Sequence, residues 1–302
     1  MSIVAIILIF ISAIMHATWN LMGKAENPSL SFFLIANTFG TLFFLPYTII
    51  NFAEVSNFPF RVFALSILSG LYLGVYYFGL AGAYRSGDMS LAYPLVRSSP
   101  IIVVVIVIVL LGQGSEITGG LVVGIFLIVM GSLLIPVRHF NEIKLSNFKN
   151  YTCLFSITAG FGTAGYSILD DGALDLLRNT SQLSLNIPNI SLIYLCLQGI
   201  FASLWMLLFA VTKAKERQNL LLVLKTRKRN AALTGGIIFA TYALVLISMS
   251  FVENVSYVVA FRQFSIVIGA IFSVVFLKEV SSTPKIIGVL TMFIGLVLIG
   301  VS

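Results

Sequence analysis

Ten stretches of mostly apolar residues follow one another along this chain, at 3–22, 30–50, 61–83, 89–111, 117–137, 152–169, 190–212, 231–251, 255–277 and 284–301. Each is close to the roughly 20 residues that a helix needs to cross the hydrocarbon core of a bilayer. Inside that core every backbone N–H and C=O must be satisfied within the element, which makes such stretches helices. The expected fold class is all-α: a polytopic membrane protein with ten transmembrane helices. Charged residues make up only 10% of the 302, against about 25% in a soluble domain. The first stretch follows Met-Ser with no basic lead and no clear cleavage site ahead of Lys24, so it is expected to stay as a span and not to be removed as a signal peptide.

The net charge of +7 is explained by topology. Fourteen of the lysines and arginines fall in the loops after stretches one, three, five, seven and nine, and only Arg61 and Arg178 lie on the other side. By the positive-inside rule the odd loops face the cytoplasm and both termini lie outside. No basic, aromatic-studded face of the kind that binds nucleic acid is present in the pattern. The segment 213–230 carries seven of these charges around central leucines, which reads as a topology anchor with a short amphipathic helix on the anionic membrane surface. Cys153 and Cys196 both sit inside apolar stretches, so they imply neither a disulfide framework nor a metal site.

The two basic residues left over stand inside apolar stretches. Arg97 lies in Ala92-Tyr93-Pro94-Leu95-Val96-Arg97-Ser98-Ser99-Pro100, and Arg262 in Ser256-Tyr257-Val258-Val259-Ala260-Phe261-Arg262-Gln263-Phe264. An arginine at mid-span costs about 2.5–3.5 kcal/mol on insertion scales, so it marks a bundle interior, a wet cavity or an anionic partner. The two are 165 residues apart, and the same shift places Tyr77 on Tyr242 and Asp88 on Glu253; a shift of 164 places Gly124 and Gly131 on Gly288 and Gly295. The chain thus divides into 1–137, a charged linker 138–150 and 151–302. Because each half has an odd number of spans, the second copy must be inverted relative to the first. Inverted repeats place a substrate site near the bilayer midplane between the copies.

Candidate site residues follow from that geometry. One or both of Arg97 and Arg262 are expected to grip a carboxylate or phosphate with the guanidinium fork; the competing readings are an internal ion pair with Asp88, Asp170, Asp171 or Glu253, or a side chain snorkelled to an interface. Pro94 and Pro100 would free backbone carbonyls beside Arg97 and either open or kink the helix. His16, Trp19 and Asn20 share one stripe of the first span, where they would touch substrate or bond to neighbouring helices. Tyr166 and Asp170 stand four apart in span six, at the first-helix place of the second half, where that span gives way to the expected outer loop 170–189. Tyr76, Tyr77 and Tyr242 are mid-span and expected to line a cavity, and Tyr93, Tyr257 and Gln263 flank the arginines.

Several of these patterns together resemble the drug/metabolite transporter superfamily, in its EamA-like branch. They are the five-plus-five spans, the first span closing on His16-Ala17-Thr18-Trp19-Asn20-Leu21-Met22-Gly23-Lys24, and the turn Leu277-Lys278-Glu279-Val280-Ser281 followed by Gly288 and Gly295. The first-half turn, Leu111-Gly112-Gln113-Gly114-Ser115-Glu116, is a looser copy. The resemblance implies two EamA-like repeats and a carrier, and places both termini in the cytoplasm, opposite to the loop charges. The expected function is transport, not enzymatic chemistry. The cargo is a small anionic or zwitterionic metabolite such as an amino acid or organic acid, moved by alternating access across the plasma (inner) membrane. No cofactor or metal is called for. Proton or sodium remains open as the coupling ion, as does monomer or homodimer as the state in the lipid bilayer. A flippase for a lipid-linked sugar would use the same fold. An integral membrane enzyme or a channel fits less well, for want of a nucleophile set, a metal cluster or a filter-like repeat.

Overall fold

A computed structural model of the chain describes residues 3–26, 28–110, 119–135, 137–140, 149–249 and 262–301. Among them every regular element is a helix. The first half holds α1 (Ile3–Ala25), α2 (Leu30–Ile50), the short α3 (Phe52–Ser56), α4 (Phe60–Ser86), α5 (Met89–Leu110) and α6 (Gly119–Leu134). The second holds α7 (Tyr151–Arg178), α8 (Ile187–Thr212), α9 (Ala214–Leu222), α10 (Lys228–Met249), α11 (Phe264–Val275) and α12 (Thr283–Val301), with a π-helical turn at Val223–Arg227 between α9 and α10. A helix therefore stands in every apolar stretch. Among the described residues five of them, α1, α2, α4, α7 and α8, are long and apolar enough to cross a membrane, and α6, α11 and α12 are shorter apolar helices. The protein is a helical, membrane-embedded, multi-pass protein.

Its outward faces fit that medium. Phe43, Ile50, Phe60, Phe126 and Ile294 are apolar and exposed. Between the helices, small residues and side-chain hydrogen bonds hold the contacts, as expected where lipid removes the hydrophobic drive for association. The antiparallel pair α4 and α7 meets at Gly79 and Gly162: a Cβ on Gly79 would fall 2.4 Å from the backbone N of Ala159, and one on Gly162 would fall 2.5 Å from that of Tyr76. Asn37 of α2 donates to the Gly199 carbonyl (2.8 Å) and Ser203 Oγ (2.9 Å) of α8, and Ser12 of α1 to the Thr241 carbonyl of α10 (3.0 Å).

Two expectations need correction. The sixth span does not end at 169 and open into a loop; α7 runs on to Arg178, capped at its start by Asn150 accepting from the Cys153 N–H (2.9 Å). Asp170, Asp171 and Asp175 are thus on a helix, where Arg178 meets Asp171 (3.6 Å) and Asp175 (3.9 Å). Nor is α5 unwound by its prolines, for the helix runs through both Pro94 and Pro100. Pro100 leaves the Val96 carbonyl without its helical donor. The hydroxyl of Ser99 reaches that oxygen (3.5 Å) as well as the Ser156 carbonyl of α7 (3.2 Å). Within the basic segment, residues Ala214–Leu222 form helix α9.

Candidate functional site

The helices enclose a cavity of about 400 Å³ bordered by α1, α2, α4, α5, α7, α8, α10 and the residues just before α11. Of the residues singled out from sequence, His16, Trp19, Tyr76, Tyr77, Arg97, Tyr166, Tyr242, Arg262 and Gln263 line it. Asn20 and Tyr93 do not line it; both are buried behind His16. Tyr257 lies outside the described residues, as do Glu253 and Glu116.

The two arginines meet at this cavity from opposite halves of the chain. Arg97 Nη2 donates to Gln263 Oε1 (3.1 Å), while its Nε is buried with no hydrogen-bond partner among the described residues. Each guanidinium lies within electrostatic range of the other and of His16. Among the described residues no carboxylate stands at ion-pairing distance from either. Asp171 pairs with Arg178 instead. Two cationic groups on one wall, with donors left over, present what an incoming acid group would bind.

His16 is oriented by a chain of buried groups. Tyr84 O–H donates to Asn20 Oδ1 (2.7 Å), which turns the Asn20 amide nitrogen toward His16, to its carbonyl (2.8 Å) and its Nδ1 (3.1 Å). An amide NH₂ can only donate. Nδ1 is therefore an acceptor, and the hydroxyl of Tyr93, 3.0 Å away, donates to it as well. The neutral ring then carries its proton on Nε2. Tyr93 itself fits only because Gly269 of α11 has no Cβ, which would fall 2.4 Å from the ring.

A third feature was absent from the sequence-based site. Asp170, partly buried where it lines the same cavity, accepts from Ser69 Oγ (2.5 Å), Tyr194 O–H (2.8 Å) and Gln198 Nε2 (2.8 Å to Oδ2). Gln198 also donates to Ser69 Oγ (2.8 Å). These partners come from α4 and α8; in the sequence, Asp170 is marked by its four-residue spacing from Tyr166 and as a possible ion-pair partner of the arginines. The cavity lining continues along α7 past Asp171, whose carboxylate side chain is 85% exposed, to Leu174, toward the face opposite the basic loops.

At the basic-loop face, polar links join the two halves. Glu279 accepts from the N–H groups of Met89 (2.6 Å) and Ser90 (2.8 Å) at the start of α5. Glu26 takes Arg227 (2.6 Å) and Asn230 (2.5 Å), and Glu216 takes the N–H of Ser31 (3.0 Å) at the start of α2. Lys24 caps the end of α4 through the carbonyls of Tyr84 (2.5 Å) and Gly87 (2.6 Å). No family model matches the chain, and no curated protein matches it.

Proposed function

We propose that this protein is a carrier of the drug/metabolite transporter kind, built from two inverted five-helix repeats with ten spans. Its cargo is a small metabolite bearing an acid group, moved across the plasma (inner) membrane by alternating access, with no chemical change. The observation that carries the reading is Arg97 and Arg262 facing one central cavity, with no carboxylate at ion-pairing distance among the described residues.

Helix neighbours support the repeat. Exchanging the halves turns α4 on α7 into α10 on α1, α5 on α7 into α11 on α1, and α2 on α10 into α8 on α4, and each of these pairs packs together. The pairs α2 with α8, α5 with α11 and α6 with α12 map onto themselves and also pack. A site between such copies suits rocking of one against the other. The closed basic-loop face and the lining that runs toward the opposite face support one end-state of that cycle, open away from the basic loops.

Counterflow in liposomes tests the reading. Vesicles holding the purified full chain and an unlabelled carboxylic or amino acid should take up the labelled compound saturably, and vesicles with Arg97→Ala or Arg262→Ala should not. No uptake of any small acid, or unchanged uptake by both variants, overturns it.

A further inference from the structure

The cavity has two poles of opposite charge. Arg97 and Arg262 form one, and Asp170 the other, with Tyr166 one turn of α7 before it and Tyr242 within electrostatic range of both Asp170 and Arg262. Tyr166, like Tyr242, lies within electrostatic range of both Asp170 and Arg262, so the two poles border one continuous stretch of the cavity. An ionisable residue within a span is costly and is retained with a partner or a function. The partners that Asp170 has are neutral: a serine, a tyrosine and a glutamine. Among the described residues no lysine, arginine or histidine stands at ion-pairing distance.

The donors also leave the carboxylate unevenly satisfied. Oδ1 accepts from Ser69, Tyr194 and Gln198, whereas Oδ2 accepts from Gln198 alone. The two oxygens together offer about four acceptor sites, and three donor hydrogens meet them, since Gln198 gives one N–H to Ser69 and shares the other between Oδ1 and Oδ2. One acceptor site is therefore open, on a group whose orientation is fixed from three directions.

We infer that Asp170 is a subsite for the ammonium group of the cargo, so that the substrate is an amino-carboxylic acid bound as a zwitterion, its acid group at the arginines and its ammonium at Asp170 Oδ2. This rests on the reading of the arginines as the acid-group site. Charge-assisted hydrogen bonds are the stronger ones, and a site built for one rejects an analogue that lacks the donor.

Matched probes test it on the wild-type chain in liposomes: glycine, 4-aminobutyrate and 6-aminohexanoate, L-leucine and L-phenylalanine, each against its hydroxy-acid analogue. For at least one pair the amino acid should compete for uptake about tenfold or more better than the hydroxy acid. Asp170→Asn, which keeps the shape of the side chain, should bring that ratio close to one while uptake of the hydroxy acid persists. A merely structural role would lower both members together and leave the ratio unchanged. Arginine-dependent uptake of the hydroxy acids with no preference for any amine overturns the inference and leaves the carrier standing. A variant that alters only the pH dependence, at constant ratio, also overturns it and makes Asp170 a proton site. Should Asp170→Asn not insert, the wild-type ratios decide alone. No uptake of any probe sinks both readings.

Discussion

Gly131 of α6 and Gly288 of α12 each fill the space in which the other would carry a side chain. A Cβ on Gly131 would fall 2.6 Å from the Gly288 carbonyl oxygen, and a Cβ on Gly288 would fall 2.7 Å from that of Gly131. Gly124 and Gly295 repeat the relation one step along, at 2.8 and 2.6 Å. The numbers run in opposite directions, so the helices cross antiparallel, and the contact is its own counterpart when the halves are exchanged. Close approach of this kind is how helices associate in lipid. Since the obstructing atoms are backbone, Gly131→Leu or Gly288→Leu should destabilise the protein by about 1–3 kcal/mol through overpacking. Neither α6 nor α12 contributes to the cavity lining. The expected outcome is a lowered melting temperature in detergent with an unchanged KM for the protein that remains folded. A changed KM at full stability would contradict it.

The arginines should be separable by their surroundings. Arg97 is tied to Gln263 (3.1 Å), so Gln263→Leu removes a neutral acceptor and lets the guanidinium swing. Uptake should fall only a few-fold, by the ~1 kcal/mol of an ordinary hydrogen bond. Arg97→Lys keeps the charge and loses the fork, and should fall about tenfold or more below wild type. Initial rates of counterflow over a substrate series read both. Equal effects of the two substitutions would mean that charge alone, and not fork geometry, is what the cavity uses.

How far the sequence could be read follows from which interactions are local. Span positions rest on apolar runs, and a helix stands in every one. The pairing of Arg97 with Arg262 rests on a shift between the halves, and both reach the cavity. The sequence places Asp170 beside Tyr166 at the end of span six and also at the head of the outer loop 170–189, because the apolar run stops at 169. What holds it on a helix at the cavity is its contact with Ser69, Tyr194 and Gln198. Those residues are 101, 24 and 28 positions away, and no periodicity within one helix encodes such contacts. Asn20 and Tyr93 stand outside the cavity lining for a related reason. A stripe on a helix gives a direction, but His16 occupies the cavity edge and the two others stand behind it.

The chain Tyr84, Asn20, His16, Tyr93 makes a prediction about a proton. In Asn20→Ala, His16 Nδ1 loses its amide donor and the buried Tyr84 hydroxyl loses its acceptor. An unsatisfied buried hydroxyl costs about 1–3 kcal/mol. Nitrogen chemical shifts of labelled His16 should show a protonated Nε2 in the wild type and a mixture of tautomers in Asn20→Ala. The double variant Asn20→Ala/Tyr84→Phe should recover stability without recovering the tautomer. A wild-type ring protonated on Nδ1 would refute the assigned network.

Glu279 is the point at which the basic-loop face is fastened. It comes from the turn after α11, where Lys278 holds a left-handed backbone (φ 56°), a conformation that costs a non-glycine residue about 1–2 kcal/mol. That turn carries the carboxylate to the N–H groups of Met89 and Ser90 (2.6 and 2.8 Å) at the start of α5. An anion at a helix N-terminus contributes about 0.3–1 kcal/mol when exposed and up to about 2 when partly buried. Glu279→Ala removes this link between the halves and, on the proposed alternating-access reading, should shift the protein toward the state open at the basic-loop face. A cysteine placed at Leu73 in the cavity wall, with Cys153 and Cys196 replaced by serine, reports the shift. In oriented vesicles a membrane-impermeant maleimide applied on the basic-loop side should label Leu73→Cys slowly, and about tenfold faster once Glu279 is alanine, the factor that 1.4 kcal/mol gives. Lys278→Gly relieves the backbone and keeps the carboxylate, so it should leave labelling as slow as before. If Glu279→Ala also leaves it slow, the fastening is carried by Glu26 and Glu216, and Glu279 serves only as a cap for α5.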